Sequence, residues 1–202
     1  MDYLHELNYE LNNDIFFCEI GAFDGKRFDD LYDYIQQYKW KGILVEPLKD
    51  AFKKLKENYK NIKGLKYENS AITEQNEIKN IKRVINRKEN KLPGWLDGSS
   101  SFFDNKHTTK FNFIEEPVKC ITFLSLVKKH NIKRIDVLQI DTEGYDLKIF
   151  KQIIPYFKPY FIKIEYIHLN KNDRKILKTM LVENGYEVSS KYGNYLAYLP
   201  LY

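Results

Sequence analysis

The run Ile15-Phe16-Phe17-Cys18-Glu19-Ile20-Gly21-Ala22-Phe23-Asp24-Gly25 constrains this chain more than any other stretch. Apolar residues lead to an acid, Glu19, and the run then breaks at two glycines four apart. A polar, helix-compatible segment follows from Arg27. The pattern is that of a buried strand, a tight turn and the start of a helix. Glycine adopts backbone angles closed to other residues and lets a ligand come close to the main chain. At the first strand-to-helix turn of an open α/β sheet, that geometry makes a binding site for nucleotide-like ligands.

The rest of the chain supplies the sheet. Phe28, Leu31, Tyr32 and Ile35 fall at helical spacing, which predicts a helix over 27–38. Ile43-Leu44-Val45-Glu46-Pro47 is a second buried strand, ending in an acid and stopped by proline. Asp50 is placed to cap a helix whose inner face is Phe52, Leu55 and Tyr59. Strands are expected at Leu65–Asn69, Ile135–Ile140 and Phe161–Ile167, and an extended stretch up to about Asn86. Thr122 caps a helix through His130, and helices follow to about Ile153 and to Gly185. Tyr186–Ser189 and Tyr195–Leu199, joined around Gly193-Asn194, form a terminal hairpin. Residues 1–13 read as an arm or short helix. Residues 87–117, with Ser99-Ser100-Ser101 and five aromatics, read as a substrate loop or lid. Strands alternating with helices give a mostly parallel sheet with helices on both faces. Its strand ends gather Glu19, Glu46, Asn69, Ser70, Asp141 and Glu143 at one edge, where such sheets bind ligands.

Composition bounds the answer. The 202 residues suit one domain, 1–202, and the net charge of +5 is dispersed, as expected of a lysine-rich solvated surface. No apolar stretch approaches the roughly 18 residues of a membrane span. The polar start, Met1–Asn13, is unlike a signal peptide, and the two cysteines, Cys18 and Cys120, lack metal-ligand spacing. Together these predict a cytoplasmic protein with reduced core thiols.

Two common nucleotide sites fail on the residues. A dinucleotide turn needs glycine where this chain has Phe23 and Lys26; a P-loop needs one more residue between Gly21 and Gly25, and a Ser or Thr after Lys26. The acids point instead to S-adenosylmethionine, which carries a ribose diol, an ammonium and a sulfonium. Glu46 is placed to accept both ribose hydroxyls, and Glu19 and Asp141 to hold the methionine ammonium.

Three segments then resemble the FkbM family of S-adenosylmethionine-dependent methyltransferases, a branch of the class I Rossmann-like fold. They are Glu19-Ile20-Gly21-Ala22-Phe23-Asp24-Gly25, Trp40-Lys41-Gly42-Ile43-Leu44-Val45-Glu46-Pro47 and Ile140-Asp141-Thr142-Glu143-Gly144-Tyr145-Asp146, in the family's order and spacing across about residues 14–167. The resemblance implies a seven-stranded sheet whose last two strands are the hairpin. It implies that Gly21, Ala22, Phe23 and Gly25 line the methionine part of the cofactor. Glu46, with Pro47, would hold the ribose, and Ser70 and Ala71 would border the adenine. Asp141 and Glu143 would lie near the methyl group. The family more often has Asn where this chain has Phe23, so Phe23 is expected to pack on the cofactor.

Methyl transfer to a hydroxyl needs alignment and a base. The candidates are Asp141, Glu143, Glu165, His168 and His107. The first three carboxylates with His168 would also suit Mg²⁺, although no tight ligand spacing demands a metal. Trp95, Ser100, Ser101, Phe102 and Tyr145 are candidates for stacking on, and bonding to, a sugar-like acceptor, and Lys82, Arg83, Arg87 and Lys88 for meeting a phosphate. The expected function is O-methylation of a hydroxyl on a saccharide or similar small metabolite. The alternatives are a nucleic-acid methyltransferase, disfavoured by the dispersed charge, and a non-catalytic cofactor-binding module, disfavoured by the intact acids.

Overall fold

The computed structural model describes residues 2–84, 99–103 and 113–201. Along the chain come α1 (Tyr3–Glu10), β1 (Phe16–Ile20), α2 (Tyr32–Tyr38), β2 (Lys41–Val45), α3 (Lys49–Asn58) and β3 (Leu65–Glu68). An inserted group follows: β4 (Ala71–Ile72), β5 (Glu77–Val84), β6 (Ser100–Ser101) and β7 (Phe113–Ile121). The chain returns with α4 (Phe123–His130), β8 (Val137–Ile140), α5 (Asp146–Ile153), β9 (Phe161–Glu165), α6 (Lys171–Glu183), β10 (Glu187–Lys191) and β11 (Asn194–Tyr198).

The main sheet has seven strands in the order β10-β11-β9-β8-β1-β2-β3. The five strands β9, β8, β1, β2 and β3 pair in parallel, and the hairpin β10–β11 adds two antiparallel strands beside β9. Parallel strands covered on both faces need apolar side chains on both. Cys18, Ile20, Ile43, Val45, Leu138, Ile140, Ile162 and Ile164 point to one face, against Leu126, Phe150, Leu177 and Leu181 of α4, α5 and α6. Phe17, Leu44, Val137 and Phe161 point to the other, against Leu4, Leu7, Ile35 and Leu55 of α1, α2 and α3. Each buried side chain of this size contributes about 1.5–3 kcal/mol, so the two interlayers fix the strand order and register.

On that second face the alternation changes character toward the strand ends. Two residues beyond Phe17, Val137 and Phe161 come Glu19, Gln139 and Lys163, paired in register across β1, β8 and β9 and all buried. A central sheet does not bury a carboxylate, an amide and an ammonium in one row for packing alone, because each must find a partner.

Three expectations change. The helix expected over 27–38 begins only at Tyr32. Before it, Phe28 sits at φ +63° and the Asp29 carboxylate turns inward, accepting from the Leu31 N–H at 2.8 Å. Asp50 is not the cap of α3: Leu48 holds that position, and Asp50 makes a two-pronged ion pair with Arg83 at 2.6 and 2.9 Å. Residues 113–117, expected in an irregular loop, belong to β7. It pairs antiparallel with β5 from Glu77↔Cys120 to Val84↔Phe113, inside a second sheet of order β4-β7-β5-β6. This sheet buries Ile81, Val118 and Cys120 against Leu48 and Ala51. Both cysteines are free and buried. Among the described residues, no helix is long and apolar enough to cross a membrane.

Candidate active site

The strand ends are stitched together by main-chain bonds. The Gly21 and Ala22 N–H groups both donate to the Val45 carbonyl at 3.0 Å, and the Asp141 N–H donates to the Ile20 carbonyl at 3.0 Å. Gly21 has φ +87°, and a Cβ there would stand 1.8 Å from the Asp141 carbonyl oxygen. Glycine is therefore required for β1 and β8 to close together at the site. Gly25 is required for a different reason: at φ +66°, its Cβ position is filled by Leu55 of α3 and by Tyr59 at the end of that helix. It anchors the turn to that helix and does not line the cleft, contrary to the expectation from sequence. Phe23 between them has φ +48°. Asn tolerates this left-handed region better than Phe does, which gives a backbone reason for a polar residue at such a position.

The cleft at this edge has two lobes that share Gly21, Phe23, Asp141 and Glu143. The narrow lobe, about 50 Å³, is bordered by Glu46, Pro47, Ser70, Ala71, Ser100 and Phe102. Glu46 is buried; its Oε2 accepts from the Phe23 N–H at 2.9 Å and its Oε1 from the Leu48 N–H at 2.8 Å. Burial pushes its carboxyl up to about 8, against the pull of those two donors. Each oxygen keeps a second lone pair for a ligand hydroxyl. The Ser70 hydroxyl is spent on Glu68, at 2.9 Å.

The wider lobe, about 370 Å³, collects the ionisable groups. His168, in the turn after β9, places Nε2 2.8 Å from Glu143 Oε2 and 4.0 Å from Glu165 Oε1. Glu143 itself lies at φ +55°, a strained conformation held by its surroundings. The Asp146 carboxylate accepts from the Thr142 and Gly144 N–H groups at 3.0 Å each and so pins this loop; burial, with Asp141 nearby, raises it to about 7. Burial, then Glu143, raises Asp141 to about 6. Burial, then Asp141 and Glu143, raises Glu165 to about 10, so it is a neutral acid at pH 7. Glu19 is raised strongly by burial and next by Asp29. Gln139 ties the floor together, its amide donating to Glu19 Oε1 at 3.1 Å and Asp29 Oδ1 at 3.3 Å. Glu143, Glu165 and His168 bring one ligand atom each within 4.8 Å of one another, the spacing to hold a cation. A set of one nitrogen and two oxygens matches a transition metal better than the all-oxygen shell that Mg²⁺ prefers.

Glu165 gives a clean pH test. Its folded value of about 10 lies above its ordinary 4.5, so the folded state holds the extra proton between those values. Its contribution to stability is therefore complete below pH 4.5 and is lost as pH rises toward 10. Glu165→Gln, a neutral isostere, is expected to melt with wild type at pH 4.5 and above it at pH 9. Melting curves across that range check this; parallel curves would refute the assignment.

Residues 19–188 match the family described as the methyltransferase FkbM domain. The chain belongs to the FkbM methyltransferase family. No curated protein matches it. Among solved structures, methyltransferase FkbM from Methylobacillus flagellatus KT aligns with a TM-score of 0.58 and 12% identity, over 92% of this chain and 44% of that one. This chain thus spans less than half the length of that structure, and the likeness is one of fold. The N-terminal domain of human METTL16 in complex with SAH aligns at TM-score 0.49 and 12% identity, over 98% of this chain and 68% of that one. A fibrillarin/Nop5p complex aligns at 0.47 and 12%, over 93% and 74%. The Rossmann-like class I fold is shared with the Methylobacillus flagellatus methyltransferase.

Within this FkbM-family fold, Ser99 of the expected acceptor-binding residues lines the wide lobe, while Ser100, Ser101, Phe102 and Tyr145 fall elsewhere. Tyr145 is buried: its ring stacks on Phe103 at 5.5 Å, meets Phe102 edge-on at 5.6 Å, and its hydroxyl donates to Glu74. It has no face left for a sugar. Ser101 is buried and donates to the Glu143 carbonyl at 2.8 Å, so it supports the strained loop. Ser100 and Phe102 border the narrow lobe. Ser99 Oγ lies 3.4 Å from Glu143 Oε1. Trp95, His107, Arg87 and Lys88 lie outside the described residues. Arg83 is engaged by Asp50 and Glu116, and Lys82 lies over the Phe113 ring. The site residues missed from sequence are Phe28, Asp29, Gln139 and Asp146. Gln139 carried a usable signal, being a polar residue inside the apolar run Val137-Leu138-Gln139-Ile140.

Proposed function

We propose that this chain is an S-adenosylmethionine-dependent O-methyltransferase acting on a hydroxyl of a saccharide or similar small metabolite. The observation that carries the reading is the joined cleft: acceptor oxygens for a nucleoside in one lobe, a histidine–carboxylate pair in the next. The donor set fits the cofactor. Glu46 keeps lone pairs for two ribose hydroxyls, and buried Glu19 has an Oε2 without a hydrogen-bond partner among the described residues, suited to the methionine ammonium beside Asp141. Bound S-adenosylmethionine supplies a methyl group on a sulfonium. The protein's part is to orient the acceptor and to take its proton. The His168–Glu143 pair takes up that proton, and the resulting imidazolium is held by the Glu143 carboxylate against Nε2. Glu165 stands ready as a neutral acid to donate to an acceptor oxygen.

Two measurements test the cofactor assignment. S-adenosylmethionine or S-adenosylhomocysteine at a hundredfold excess over Kd raises stability by about 2.7 kcal/mol, visible as a higher Tm. Glu46→Ala weakens S-adenosylhomocysteine binding by about 1.5–3 kcal/mol, the scale of two lost hydrogen bonds to the ribose. An unchanged Kd removes Glu46 from the site.

A further inference from the structure

Buried polar atoms in folded proteins are nearly always hydrogen-bonded, so unpartnered ones indicate what the surrounding space is shaped to receive. In the wide lobe, beyond Glu19, Gln139 Oε1, Glu165 Oε2 and Glu143 Oε2 are buried without a hydrogen-bond partner among the described residues, and of these only Glu143 Oε2 has an ion-pair contact, with His168. Gln139 is 4% exposed, and both acceptors of its amide NH₂ are carboxylates, which fixes its carbonyl end toward the cleft. At the rim stands Phe28, 66% exposed and held at φ +63°. Such a conformation is costly for an aromatic residue and persists where the surroundings impose it, most often at binding sites. The charges beside the lobe do not suit an anion. Arg27 is paired with Asp24 at 2.6 Å, and Lys163 with Asp30 at 2.8 Å. A phosphate would meet Asp141 and Glu143 instead. Nor do the carboxylates call for a cationic acceptor, since the buried Lys163 lies one strand from Gln139 and supplies a positive charge beside them.

Resting on the methyltransferase reading, we propose that the wide lobe binds an uncharged, hydroxyl-rich ring, its apolar face on Phe28 and its hydroxyls on Gln139 and Glu165, and rejects phosphorylated forms of that ring. The acceptor is then supplied after any phosphate or nucleotide carrier has been removed, as a free sugar or as part of a glycan.

The test uses the full chain loaded with S-adenosylhomocysteine. Saturation-transfer NMR follows a panel of neutral methyl pyranosides, their 6-phosphates and their 6-amino forms. The expected result is binding of a neutral ring, with its phosphate at least about tenfold weaker. Phe28→Ala weakens the neutral ring about five- to tenfold, Phe28→Tyr restores it, and S-adenosylhomocysteine affinity stays constant in both. Equal or tighter binding of the phosphate or amine, an unaffected Phe28→Ala, or no pyranoside binding to the loaded protein would overturn the proposal. Failure of S-adenosylhomocysteine itself to bind would instead overturn the reading beneath it.

Discussion

Replacing His168 with glutamine is expected to lower kcat for methyl transfer by about two to four orders of magnitude, the usual contribution of a positioned base. KM for the acceptor and Kd for S-adenosylhomocysteine should change little. The reason is positional. His168 is carried by the short turn after β9, which is tied to the hairpin by the Tyr166 N–H donating to the Gly193 carbonyl at 2.9 Å. Its Nε2 lies against Glu143, on the proposed acceptor side, while the cofactor's predicted partners Glu19 and Glu46 lie in β1 and just after β2. Glutamine retains a donor toward Glu143 but cannot take up a proton. Neighbouring Glu165 cannot substitute as a base at neutral pH, because burial keeps it protonated. Steady-state kinetics with calorimetry of S-adenosylhomocysteine check this. A variant that keeps its kcat would move the base elsewhere, and one that loses cofactor affinity would make His168 part of the cofactor site.

The largest expected effect on stability comes from Gly21→Ala. The new Cβ would sit 1.8 Å from the Asp141 carbonyl oxygen, at a φ of +87° that already costs alanine roughly 1–2 kcal/mol. Relief requires β1 and β8 to part at the site, which breaks the Asp141 N–H bond to Ile20. The sum is about 4 kcal/mol or more, near the limit for single substitutions. For a chain of this length that lowers Tm by about 8–16 °C. Gly185→Ala separates the two causes. Gly185 has φ +85°, but only the end of Lys158 lies near its Cβ position, so the backbone term stands alone. It should lower Tm by about 2–8 °C. Equal losses in the two variants would show that the close strand approach contributes nothing.

The parts of the fold visible in sequence are those with an unambiguous period. The runs ending at Ile20, Val45, Ile140 and Ile164 are apolar on both faces, and only a covered parallel strand asks for that. Their terminal acids then fall at one edge by topology alone. The second sheet was hidden because its strands lack that signal. β5 buries little besides Ile81 and Val84 and leaves Ile78 exposed, while β7 contains Pro117, which normally argues against a paired strand. Phe28, Leu31, Tyr32 and Ile35 do have helical spacing, yet the bonds of Asp29 to Tyr59 and Gln139 hold the first part of that stretch out of helix. Tyr145 shows a further limit. Its place in the motif suggested an acceptor platform, but whether an aromatic face is open depends on residues far away in sequence, here Phe102 and Phe103.

In the proposed function, S-adenosylmethionine lies in the cleft between Glu19, Gly21, Glu46 and Asp141. Calorimetric titration of S-adenosylhomocysteine into wild type and Glu46→Ala tests it most directly. The expected result is saturable one-to-one binding to wild type, at least about tenfold weaker in the variant. No saturable binding to folded wild-type protein at millimolar ligand would contradict the account.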